Sequence, residues 1–178
     1  YFSIRVEESF RIRGFTFKKD GSSASIFSIY SLQNFIEDCI FESTSLPSIG
    51  GMVSSISIKN CIFRNCTGNV YLTLLSPLKT DIIENCISIS GKDYFSDFRL
   101  EFGHQTIRNN IIIHNSSTVD ANIGIFSDMP STVYIHNNLV AGSIEGIVLT
   151  GGYSFIDSGL ICNNLVGYKK YDPNFYWA

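Results

Sequence analysis

The densest set of residues able to do chemistry runs from Asp93 to His104, read DYFSDFRLEFGH. Alternation along an extended strand puts Phe98, Leu100 and Phe102 on one face and Asp97, Arg99 and Glu101 on the other. Two carboxylates on one face could hold a cation, and Arg99 between them could act as a base or as a sugar clamp. Asp97, Arg99 and Glu101 are therefore the candidate catalytic residues. Tyr71 and Thr73 before this strand, Asp128 after it and His104 at its end are the candidate substrate-binding residues. No paired-Asp motif of the hydrolase kind is present. His104, His114 and His136 lie apart without metal-ligand spacing, and each reads as a surface polar residue.

These side chains need a scaffold, and the scaffold is a repeat. Seven segments share one pattern: IRGFTF from Ile12, IEDCIF from Ile36, IKNCIF from Ile58, IENCIS from Ile83, IRNNII from Ile107, IHNNLV from Ile135 and ICNNLV from Ile161. Their starts are 24, 22, 25, 24, 28 and 26 residues apart. The third position is Gly14, Asp38, Asn60, Asn85, Asn109, Asn137 and Asn163, the residue types that accept a left-handed backbone at a sharp turn. Columns on either side alternate with period two, which means strand. Helical solenoids need longer units with 3.6 periodicity, and the consensus of leucine-rich repeats is missing. Units of this length fit three short strands and three turns, stacked so that like residues lie about 4.8 Å apart.

Composition agrees. Hydrophobic residues make up 44% and charged residues 16%, too apolar for disorder and too poor in charge for a coiled coil. Net charge is −3, so there is no basic footprint for nucleic acid. No apolar run is long enough for a membrane span. The chain opens on Tyr1 and is read as a processed chain or a fragment, with an N-terminal portion expected before Phe2.

The repeats resemble those of the pectate-lyase-like right-handed parallel β-helix superfamily, from Phe10 to about Gly167. The inward aliphatic columns, the asparagine turn and the coil length carry the resemblance. It implies an all-β, right-handed parallel β-helix of about seven coils over residues 1–167, with an aromatic tail or cap at 168–178. It also implies a carbohydrate-associated function, with a polysaccharide or cell-surface glycan as partner and an extracellular or cell-surface location. Enzymes of the superfamily act on the outer face of the first strand, either with carboxylates holding Ca²⁺ beside an Arg or Lys base, or with clustered Asp residues. Recognisable catalytic patterns of these enzymes are absent. A lyase- or hydrolase-like enzyme and a non-catalytic adhesin-type or structural module both remain open.

Three further columns carry expectations. Arg13, Glu37, Lys59, Glu84, Arg108, His136 and Cys162 face solvent and form a register-setting charge ladder. Cys39, Cys61 and Cys86 stack inside as reduced thiols, with a vertical disulfide as the alternative. Thr16, Ile40, Ile62, Ile87, Ile111, Leu139 and Leu165 face outward as an aliphatic stripe, serving as an assembly surface or covered by loops or the tail. The segments Ser43–Gly51, Ser90–Asp97 and Ser116–Ala121 read as variable loops. Asn65 and Asn115 match the glycosylation acceptor pattern.

Overall fold

The computed structural model describes residues 4–18, 27–30, 33–43, 48–53, 55–66, 68–74, 80–90, 96–114, 123–128, 130, 132–143, 145–150 and 158–168. Among the described residues, twenty-one strands form three parallel sheets of seven strands, and each coil gives one strand to each sheet in turn. The first sheet stacks Ile4–Val6, Phe27–Ile29, Ile49–Val53, Val70–Leu74, Ser96–Glu101, Ile123–Asp128 and Glu145–Thr150. The second sheet holds the Ile-initiated segments, from Phe10–Arg13 to Ser158–Cys162. The third follows each asparagine turn, from Thr16–Lys18 to Leu165–Tyr168.

The repeat positions the coils. Ile12, Ile36, Ile58, Ile83, Ile107, Ile135 and Ile161 are register partners in one continuous column. Each third-position residue has positive φ, from 52° at Asn163 to 76° at Gly14. The sharp turn does not break the ladder, because these amides still reach the next coil: Asp38 N donates to Lys59 O at 3.0 Å and Asn60 N to Glu84 O at 3.1 Å. One position later, the interior is lined by thiols and then amides. Asn110 Nδ2 and its backbone N–H both donate to Asn138 Oδ1 at 3.0 Å, and Asn138 Nδ2 donates to Asn164 Oδ1 at 2.9 Å. The same Asn138 amide reaches Ile107 O at 3.0 Å. Buried amides that bond each other and the turn carbonyls remove the cost of unpaired polar groups.

The core changes character along the axis. Phe17, Phe41 and Phe63 stack with centroids 5.3 and 5.0 Å apart, and Phe27 and Phe98 meet this stack edge-on. Ser88 takes the next place in the same column, ahead of Ile112 and Val140. Cys39, Cys61, Cys66 and Cys86 are free thiols in the interior, so no vertical disulfide forms. The neighbouring Cys61 thiol and then burial push the Cys39 thiol well above its ordinary range.

Outside, Glu84 sits between Lys59 at 2.6 Å and Arg108 at 2.5 Å, one coil away on either side. Lys59 first, and Arg108 with it, hold the Glu84 carboxyl below the usual carboxylate range. Arg13 pairs instead with Asp38 at the turn, at 2.6 Å. The aliphatic stripe faces outward as expected; Ile40, Ile62, Ile87 and Leu139 are half-buried, and Leu165 is 68% exposed.

Two loop assignments change. Ile49–Val53 (IGGMV), read in part as loop, is the first-sheet strand of its coil. Its glycines disguise it: a Cβ on Gly51, at φ 140°, would lie 2.1 Å from the Ile29 carbonyl oxygen, so only glycine lets these backbones approach. Ser90 and Asp97 likewise belong to strands. Residues 116–121 and the tail from 169 lie outside the described residues.

Candidate functional site

The outer face of the first sheet carries two parallel rows of side chains, fixed by register. Over the last five coils, one row is Gly50, Tyr71, Arg99, Phe126 and Val148 and the other is Met52, Thr73, Glu101, Asp128 and Thr150. Arg99 is the hub. Its guanidinium carbon lies 4.7 Å from the Tyr71 ring centroid and 4.9 Å from that of Phe126, so aromatic rings flank it on the coils below and above. Each such contact contributes ~0.5–1 kcal/mol where exposed and more where water is excluded. Phe126 is outward-facing yet only 7% exposed.

Glu101 fixes the guanidinium from the second row. Arg99 Nη2 lies 2.6 Å and Nε 3.0 Å from Glu101 Oε1, while the Thr73 hydroxyl donates to Oε2 at 2.8 Å. Both Glu101 oxygens are thereby engaged. Asp128, the register partner of Glu101 on the next coil, accepts the Thr150 hydroxyl at Oδ1. Among the described residues, Asp128 Oδ2 has no hydrogen-bond partner.

The structure brings Tyr71, Thr73, Arg99, Glu101 and Asp128 together, and removes two candidates from the group. Asp97 does not share a face with Arg99 and Glu101. It is 2% exposed inside the coil, where Oδ1 accepts Asn69 Nδ2 at 2.8 Å and Ser88 Oγ at 2.9 Å, and Oδ2 lies 3.4 Å from His114 Nδ1. The cause is local. Ser88 stands where Phe41 and Phe63 stand in earlier coils, so the corner between the third and first sheets has a hydroxyl for Asp97 to meet. Asp97 and Glu101 therefore form no shared cation site. Among the described residues, no three His, Cys, Asp or Glu side chains converge as metal ligands. His104 is also apart: it begins a strand of the second sheet, stacked between Thr80 and Thr132.

Two further readings are corrected. Phe102 does not point inward; the chain turns there with φ 66°, and the ring is exposed. His114 is buried rather than on the surface, and its Nε2 has no partner among the described residues. Period two along Ile111-Ile112-Ile113-His114 was the available signal, since the inward Ile112 makes His114 inward too. Phe126 and Thr150 were missed as site residues; alternation past the inward Ile125 places Phe126 outward beside Arg99.

No curated protein and no solved structure matches the chain. Residues 3–165 match the family described as the right-handed β-helix region. With seven strands in each of three parallel sheets and one coil-long repeat behind them, the chain belongs to the right-handed β-helix family.

Proposed function

We propose that this chain binds a glycan along the outer face of its first sheet, without transforming it. The observation that carries the reading is Arg99, held between Tyr71 and Phe126 and anchored by Glu101. A guanidinium fixed in this way is ordered before any ligand arrives, which lowers the entropy cost of recognition. Beside it lie hydroxyls and a carboxylate, the groups that bond sugar hydroxyls. Successive coils repeat the face at about 4.8 Å, a spacing that suits an extended chain lying along the stack.

The same fixing argues against chemistry. A protonated guanidinium offers donors and no acceptor, so Arg99 clamps rather than takes a proton. Asp97 is inside the coil and out of a substrate's reach. Glu101 already spends both oxygens on Arg99 and Thr73.

The test is a binding screen of soluble oligosaccharides against the protein and its Arg99→Ala variant, with product analysis on every glycan bound. Binding that drops at least tenfold in the variant, with no cleavage, supports the reading. Cleavage of a bound glycan, or binding indifferent to Arg99→Ala, overturns it.

A further inference from the structure

We infer that the face selects neutral glycans and rejects anionic ones, an inference that rests on the glycan-binding reading above. Charge at the rows decides it. Over these five coils the rows hold one described cation, Arg99, and it is committed to Glu101 at 2.6 Å and to the rings of Tyr71 and Phe126; Arg5, four coils away in the first row, is paired with Glu7 at 2.9 Å. Two carboxylates, Glu101 and Asp128, stand as register partners on adjacent coils. One charge is paired, and the charge on Asp128 is left over.

Hydroxyl chemistry fits that remainder. Asp128 takes one donor from Thr150 and keeps Oδ2 for another. A carboxylate oxygen accepts hydrogen bonds only, so its complement is a ligand hydroxyl, and a charge-assisted bond of this kind is among the stronger ones. A uronate or sulfate group in the same place would meet the Asp128 carboxylate, with Nε and Nη2 of Arg99 already turned to Glu101, and like charges within a few ångströms repel. Recognition of an anionic sugar normally relies on a bidentate Arg; here the Nε and Nη2 edge of Arg99 is already turned to Glu101.

The experiment measures affinity for two matched sets of soluble oligosaccharides of equal length, neutral hexose or pentose oligomers and oligouronates, at low and high salt. Asp128→Asn is run beside the native protein, with circular dichroism confirming that both are folded. Neutral oligomers should bind at least tenfold tighter than oligouronates at low salt. The gap should narrow at high salt, where repulsion is screened, and narrow again in Asp128→Asn. Oligouronates binding as tightly as neutral oligomers, or a gap unmoved by both salt and Asp128→Asn, overturns the selectivity while leaving glycan binding intact. Binding of neither set overturns the glycan reading itself and this inference with it.

Discussion

Asp81 should make stability fall as pH rises through the neutral range. Its side chain is fully buried in the second sheet; Oδ1 accepts the Ile56 N–H at 2.8 Å and Oδ2 has no partner among the described residues. Burial raises its pKa to about 8, with the Ile56 bond opposing the shift only in part. An unfolded aspartate titrates near ~3.9. Between roughly pH 4 and pH 8 the folded chain therefore binds more protons than the unfolded one, and stability falls as pH rises. This group's contribution is complete below about pH 4 and is lost at about 1.4 kcal/mol per pH unit, levelling off above the folded value. The loss is on the order of 4 kcal/mol between pH 4 and pH 7, a large part of a typical stability of about 5–15 kcal/mol. Asp81→Asn keeps an oxygen for the Ile56 N–H and cannot ionise. Its own cost, that of burying an amide there, does not vary with pH. Urea unfolding of both proteins at half-unit steps from pH 4.5 to 8.5 should show the variant gaining on the native chain by several kcal/mol across the range. Two stability curves that run parallel would refute the reasoning.

Other perturbations separate structural from functional residues. Asp97→Ala takes the acceptor from the Ser88 hydroxyl and the His114 imidazole and one of two acceptors from the Asn69 amide, which keeps Ser88 Oγ at 2.6 Å, and should cost about 2–4 kcal/mol in denaturant unfolding; glycan affinity measured on the folded fraction should not change. Asn85, exposed with φ 55°, tests the turn: Asn85→Ala should cost about 1 kcal/mol in the same assay while Asn85→Gly stays within a few tenths.

Much of the fold was legible because a stacked coil repeats its demands. Seven isoleucines at one position could line up only if the chain returned to the same place every coil, and the turn residues beside them accept the left-handed backbone that such a return needs. What stayed hidden depends on neighbours in other coils. IGGMV reads as loop until Gly51 is seen against the Ile29 backbone. Asp97 reads as outward by period two, and its inward turn depends on Ser88, nine residues earlier, on Asn69 in the coil before and on His114 at the end of its own coil. The site divides the same way. Arg99 and Glu101 share a face through strand alternation alone, and their link to Tyr71, Thr73 and Asp128 required only the coil spacing. The ring of Phe126 over Arg99 required the register between two particular strands.

The most direct test of the account is residue-resolved NMR of the protein titrated with a neutral oligosaccharide that it binds. The account predicts that shift changes gather on Tyr71, Thr73, Arg99, Phe126, Asp128 and Thr150 and fade around the coil. Changes centred instead on the outward Ile87, Ile111 and Leu139 of the third sheet, or spread evenly over all three sheets, would contradict it.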